Sequence, residues 1–261
     1  MEEYDQKYLW YETRDYKIFK AVHRQDRLCD LLIKEYKPHV EVDKIHFEKE
    51  ILNSLRGKKN FIQLLDSYTS TTAYNLVLEN CHFTLQQYSD NTHFKDKTIA
   101  DITFELFEAV RQLNNNNVYL LNLRPENVWV QVDPHDNTCT FKITDFLDSV
   151  RESDPTLRPI SDDDQLEFAA PETYQKKGIY PLTKADIYSI GKILECLKFK
   201  EPCLSCKLER KSDAQKQAEY QSMNCYLKDI IERAREESPT RRANLFMIHV
   251  LFKEYYKSDF R

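Results

Sequence analysis

The hydrophobic pattern of the chain changes period about one third of the way along. Tyr8-Leu9-Trp10-Tyr11, Lys17-Ile18-Phe19-Lys20-Ala21-Val22 and Asp30-Leu31-Leu32-Ile33-Lys34 are aromatic or β-branched runs divided by charged turns, which predicts three strands. Phe61-Ile62-Gln63-Leu64-Leu65 and Tyr74-Asn75-Leu76-Val77-Leu78-Glu79 add two more, making a five-stranded small unit. Between them Phe47, Ile51 and Leu55 fall at i, i+4 and i+8, one apolar helical face with Glu48 beside it. After residue 99 the spacing is helical: Ile102, Leu106, Ala109 and Leu113, then a stop at Asn114–Asn117. Ile187, Ile190, Leu194 and Leu197 make a second strong stripe, read as core. Strands gathered first and helices afterwards predict an α+β chain, in one domain or two small lobes.

Between the helical segments lies the stretch that organises the chain. An apolar run from Val118 enters a tight polar loop, Asn122-Leu123-Arg124-Pro125-Glu126-Asn127, and Val128-Trp129-Val130 leaves it. A second apolar strand then ends in Asp145-Phe146.

Composition narrows the function classes. At 261 residues and 41% hydrophobic the chain can bury a sizeable core, and no apolar run approaches membrane-spanning length. A net charge of −5 and a pI near 5.9 leave no basic surface for nucleic acid. The first residues, Met-Glu-Glu-Tyr-Asp, lack the basic and apolar regions of a signal peptide, and seven cysteines is an odd count. Reduced thiols and an intracellular, cytoplasmic setting are the expectation. Cys203-Leu204-Ser205-Cys206, flanked by Cys196 and Cys225, invites a zinc reading, but a zinc ribbon needs a second close pair, so free thiols are expected. The histidines show no metalloprotease spacing. The polar stretch Lys207 to Asn224 is the candidate protein-binding surface, and Asp162-Asp163-Asp164 reads as a solvated acidic loop. Only three glycines exist, Gly57, Gly178 and Gly191, so a glycine-rich phosphate loop is excluded.

Taken in order, these motifs resemble the protein kinase family, over essentially the whole chain, and the resemblance implies a single two-lobed α+β domain, β-rich over residues 1–79 and helical over 80–261. Leu120 to Asn127 stands where the family has H-R-D-L-K-P-E-N, and Asp145-Phe146-Leu147 where it has D-F-G. Leu31-Leu32-Ile33-Lys34 looks like V-A-I-K, and Glu48 follows at the distance of the glutamate that pairs with that lysine. Ala170-Pro171-Glu172 looks like A-P-E, Asp186 to Gly191 like D-x-W-S-x-G, and Pro239-Thr240-Arg241-Arg242 like P-x-x-R. The resemblance implies that Lys34 and Glu48 serve nucleotide phosphates and that Asn127 and Asp145 hold magnesium through hard oxygen ligands. It also implies that Glu79-Asn80-Cys81 forms the hinge that holds adenine, and that Glu172, Asp186 and Arg242 support the scaffold.

The departures set the functional expectation. Asn122 stands at the base position, and an amide has no protonation equilibrium to offer, although Arg124 keeps a cation nearby. The three loop glycine positions fall on Tyr11, Thr13 and Tyr16, whose side chains forbid close backbone approach to phosphates. Leu147 restricts the loop that a glycine would free. Leu121 replaces the arginine that anchors an activation-loop phosphate, so no switch is expected at Ser149, Ser153, Thr156 or Ser161. The resemblance therefore implies a pseudokinase that binds proteins as a scaffold or allosteric regulator, with ATP and magnesium binding impaired. The alternatives are a weak or unconventional Ser/Thr kinase and a nucleotide-free structural subunit.

Overall fold

In a computed structural model of the chain, residues 3–27, 30–151, 166–174, 182–199 and 212–259 are described. They fall into two units: residues 1–83 with 129–147, and residues 84–128 with 148–261.

The first unit is built on an antiparallel five-stranded sheet in the order β1-β2-β3-β5-β4. Its strands are β1 (Tyr4–Glu12), β2 (Tyr16–His23), β3 (Asp30–Tyr36), β4 (Leu64–Thr69) and β5 (Tyr74–Glu79). Strand β3 is central, and Leu31, Leu32, Ile33 and Lys34 are all buried on it. Its register sets Lys34 between Ile18 of β2 and Leu76 of β5. A charge at that place must find partners, because an unpaired buried ammonium is costly.

Helix α1 (Val42–Ser54) supplies one. Its buried residues are Ile45, Glu48, Ile51 and Leu52; of the expected face, Ile51 and Leu55 are buried and Phe47 is half-buried. Glu48 is on the buried face, not beside it, at 1% exposure. The chain re-enters this unit after residue 128 through β8 (Val128–Val132) and β9 (Cys139–Ile143). Ile143 N–H donates to the Asn60 carbonyl at 2.8 Å, and Ile62 N–H donates to the Ile143 carbonyl at 3.1 Å. A sequence division at residue 79 does not anticipate this return, because Val128-Trp129-Val130 reads equally well as part of either unit.

A two-residue strand, β6 (Phe83–Thr84), leads into the second unit. Thr84 and Gln87 form a reciprocal capping box on α2 (Leu85–Asp90). Helix α3 (Asp96–Asn114) buries Ile99, Ile102, Leu106, Ala109, Val110 and Leu113. β7 (Val118–Tyr119) pairs antiparallel with β10 (Val150–Arg151). The short α4 (Pro171–Tyr174) precedes α5 (Leu182–Phe199), which buries Ile187, Ile190, Leu194 and Leu197. Helices α6 (Asp213–Ser222), α7 (Cys225–Ala234) and α8 (Leu245–Asp259) follow.

Gly191 marks where α5 and α7 press together. A Cβ there would lie 2.7 Å from the Ala234 Cβ. Much of the polar stretch is helix α6, opened by a capping box between Ser212 and Gln215. Ser149 is buried at 6% exposure, so it offers no modification site at the surface. Ser153, Thr156, Ser161, Asp162–Asp164, Cys203, Cys206 and residues 207–211 lie outside the described residues.

Candidate functional site

In the first unit a buried polar cluster forms around Lys34. Its ammonium donates to Glu48 Oε1 at 2.8 Å, Glu48 Oε2 at 3.0 Å and Asp145 Oδ1 at 2.9 Å. An ammonium has three donors, and three acceptors meet it. Burial alone would lower the Lys34 pKa, but the charges of Asp145 and Glu48 outweigh it and leave the pKa raised. Glu48 is equally engaged: Oε1 also accepts from Phe146 N–H at 3.1 Å, and Oε2 from the Tyr36 hydroxyl at 2.6 Å.

Asp145 itself sits at φ +60°, in the left-handed region that Asp enters more readily than most non-glycine residues, and two side chains fix its carboxylate. The lysine supplies one constraint. Tyr16 supplies the other: its hydroxyl donates to Asp145 Oδ2 at 3.1 Å, and Lys34 Nζ lies 4.0 Å from its ring centroid. Burial, then the Asp145 charge, drives the Tyr16 pKa well above the usual phenol value, so the hydroxyl stays a donor.

Tyr16 starts β2 directly after a turn that Thr13 closes. Thr13 Oγ1 accepts from the backbone N–H of Asp15 at 3.2 Å and Tyr16 at 3.1 Å. Lys37 Nζ donates to the Thr13 carbonyl at 2.7 Å. Tyr11 is half-buried, paired with Ile18 in the β1–β2 register.

At the end of β5, Glu79 is held by Lys142 at 2.9 Å and by the Gln63 N–H at 2.8 Å. Lys20 donates to Asn80 Oδ1 at 2.8 Å and to the Cys81 carbonyl. The Cys81 thiol is fully buried, and burial pushes its pKa up to about 12. Lys20 Nζ also lies 4.6 Å from the Trp10 ring, and Trp10 meets Trp129 edge to face at 5.3 Å.

In the second unit the loop Asn122–Asn127 is organised from below by Asp186. This carboxylate, fully buried on α5, accepts the N–H of Leu120 at 3.0 Å and of Leu121 at 2.9 Å. Burial raises its pKa to about 6, partly offset by those two donors. Leu121 lies at φ +60°, so two hydrogen bonds hold a strained turn. Asn122 Nδ2 donates to Asp148 Oδ2 at 3.2 Å, and the Asn122 carbonyl accepts from Asn127 Nδ2 at 2.9 Å. Pro125–Asn127 forms a short 3-10 turn, and half-buried Arg124 precedes it.

Glu172 and Arg242 form a buried bidentate pair at 2.5 and 2.9 Å. The remaining Arg242 donors reach the carbonyls of Glu236, Lys184 and Glu237 at 2.8, 2.8 and 3.1 Å.

A family model described as the protein kinase domain matches residues 17–257. The chain belongs to the protein kinase family. Among its relatives, Calcium-dependent protein kinase 6 of Plasmodium berghei is 27% identical over 186 residues, 67% of this chain and 12% of that protein. MAP kinase-interacting serine/threonine-protein kinase 2 of Xenopus laevis is 27% identical over 173 residues, 61% of this chain and 36% of that protein. This chain thus spans a minor part of each relative's length. In shape it is similar to a chain of the CAK complex of Chaetomium thermophilum bound to ATP-gamma-S, with a TM-score of 0.74 and 17% identity. That match covers 94% of this chain and 89% of the other. The α+β kinase fold, a β-sheet unit and a helical unit, is common to both.

Within this kinase domain the first unit brings together Lys34, Glu48, Asp145 and Tyr16, and the second brings together Asn122, Asn127 and Asp148. Sequence reasoning missed Trp10, Lys20, Trp129 and Asp148. For Lys20 a signal existed: a charge inside the strand, flanked by Ile18 and Phe19 on one side and Ala21 and Val22 on the other. For Asp148 none did, since an acid after Asp145-Phe146-Leu147 looks like any loop residue. Among the described residues no helix is long and apolar enough to cross a membrane.

Proposed function

We propose that this chain is a pseudokinase that acts through protein contacts and not through phosphotransfer. The observation that carries the reading is Asn122. At the position of the catalytic carboxylate the chain places an amide, and that amide donates its own proton to Asp148. A carboxamide has no accessible protonation equilibrium: its Oδ1 can accept a hydrogen bond but cannot take up a substrate proton near neutral pH. Loss of a general base costs about 10²–10⁴-fold in rate. An exposed apolar stripe on α8, with Phe246 at 76%, Met247 at 41% and Val250 at 38% exposure, supports a partner-binding role.

A second reading has one observation in its favour. Asp148 brings a carboxylate to within 3.2 Å of the base position, which supports a weak, unconventional Ser/Thr kinase with a displaced base. Labelled-ATP transfer, to the chain itself and to Ser/Thr peptides, separates the two. The pseudokinase reading expects no transfer above background for the natural chain. Transfer that disappears in Asp148→Asn overturns it and supports the second reading.

A further inference from the structure

Relatives of this fold take ATP, and the match to an ATP-gamma-S-bound complex makes nucleotide the ligand to test against the residues present. In the first unit they do not fit it. Lys34 keeps the pairing with Glu48 that the family uses, and its third proton goes to Asp145. Asp145, the would-be metal ligand, offers Oδ1 to Lys34 and Oδ2 to the Tyr16 hydroxyl. A magnesium ion demands an ordered shell of oxygen ligands at short range, and the phenol of Tyr16 stands where part of that shell would be. At the hinge the Cys81 carbonyl accepts from Lys20, and Trp10 closes edge-on over Trp129.

We propose that Tyr16, with Lys20 and Trp10, is a built-in surrogate ligand: these side chains occupy the nucleotide-facing groups of the first unit, and the natural chain does not take Mg-ATP. The proposal deepens the pseudokinase reading, on which its biological sense rests. Each contact replaces one class of ligand contact. The Tyr16 hydroxyl answers the Asp145 carboxylate as a metal would, and its ring answers the Lys34 cation as a phosphate would. Lys20 answers the hinge carbonyl as a base amine would, and the Trp10 ring sits edge-on against Trp129 beside it. Tyr16 is 3% exposed and anchored by the Thr13 turn, so the phenol is placed by the strand register and not by a mobile loop. Any one contact could be ordinary packing. Their joint position, on Lys34, Asp145 and the hinge carbonyl, three groups that the family devotes to one ligand, is the reason for the inference.

The experiment is titration of the full chain with Mg-ATP, read by calorimetry and by tryptophan emission, for the natural protein, Tyr16→Phe and Tyr16→Ala. The natural chain and Tyr16→Phe, which keeps the ring, are expected to show no binding up to millimolar Mg-ATP. Tyr16→Ala is expected to bind at least tenfold more tightly than the natural chain. Binding to the natural chain with the affinity of Tyr16→Ala overturns the proposal, as does a folded Tyr16→Ala that binds no better. Should Tyr16→Ala fail to fold, the pair Trp10→Ala and Lys20→Ala opens the other end from half-buried positions, with adenosine as the probe. Gain of adenosine binding supports the proposal and no gain overturns it. Phosphotransfer assayed in parallel keeps the two readings apart. A Tyr16→Ala chain that binds and transfers refutes the pseudokinase reading and leaves the surrogate ligand standing. A natural chain that binds without transfer does the reverse.

Discussion

The Arg242 guanidinium grips the Glu172 carboxylate at 2.5 and 2.9 Å across 70 residues of sequence, with Arg242 1% exposed. Its other N–H groups go to three backbone carbonyls, so all five donors are used. Such a pair is not a large net stabiliser, because both charges lose their water. Removing one partner is a different matter.

Arg242→Met strands the Glu172 carboxylate and three carbonyls, and should cost about 3–5 kcal/mol in urea unfolding. Arg242→Met combined with Glu172→Met should cost clearly less than the sum of the singles. Additive losses would mean that the two residues are not coupled.

Asp186 joins pH to the loop below Asn122. Its pKa is raised to about 6 by burial, so the sign is that of a group that prefers to be protonated when folded. The stability it contributes is fully present below about 4 and is lost as pH rises through about 6. Asp186→Asn has no such titration and points an amide at one of two N–H donors, costing about 1–3 kcal/mol. Melting temperatures of the natural chain and the variant, measured from pH 4 to pH 7, should converge as pH rises. A gap that widens with pH contradicts the sign.

Helices α5 and α7 meet at Gly191. A methyl there would sit 2.7 Å from the Ala234 Cβ, so Gly191→Ala should destabilise by about 1–3 kcal/mol through overpacking. Ala234→Gly in the same chain should recover a substantial part of the loss. Recovery absent in chemical denaturation would place the strain elsewhere.

Restoring the base is expected to be unfavourable. Asn122→Asp sets a second carboxylate at the 3.2 Å contact with Asp148 and abolishes the donor between them. Two carboxylates this close cannot both ionise freely, so the pKa of one rises. The stability of Asn122→Asp should therefore fall relative to the natural chain as pH climbs through that raised value. Adding Asp148→Asn should remove the difference. Thermal unfolding from pH 4 to pH 8 reads both.

The elements that bury continuous stripes were readable from spacing alone. Ile102, Leu106, Ala109 and Leu113 of α3 and Ile187, Ile190, Leu194 and Leu197 of α5 are buried as their period requires. Helix α1 was readable as a helix, and Ile51 and Leu55 are buried as its spacing requires, but the burial of Glu48 was not legible, since its partner Lys34 lies on β3. Helix α6 hid in a polar stretch whose capping residues, Ser212 and Gln215, were its one local signal. At the site, the bulk of Tyr16 was legible as an obstacle to a backbone phosphate cradle. Its inward direction was not, because that follows from a turn closed by Thr13 and from a carboxylate 129 residues away. The same holds for Trp10 and Trp129, which become neighbours only after residues 129–147 return to the first unit.

The Tyr16 phenol is covalently part of the chain that it contacts. A tethered group acts at an effective concentration on the order of millimolar even on a flexible linker, and a strand-anchored one acts higher still. A diffusing molecule would have to outcompete a rival that never dilutes away and is never consumed. On the surrogate-ligand proposal, occupancy of Asp145 and Lys34 is decided when the protein folds, which would leave this unit insensitive to the nucleotide level around it.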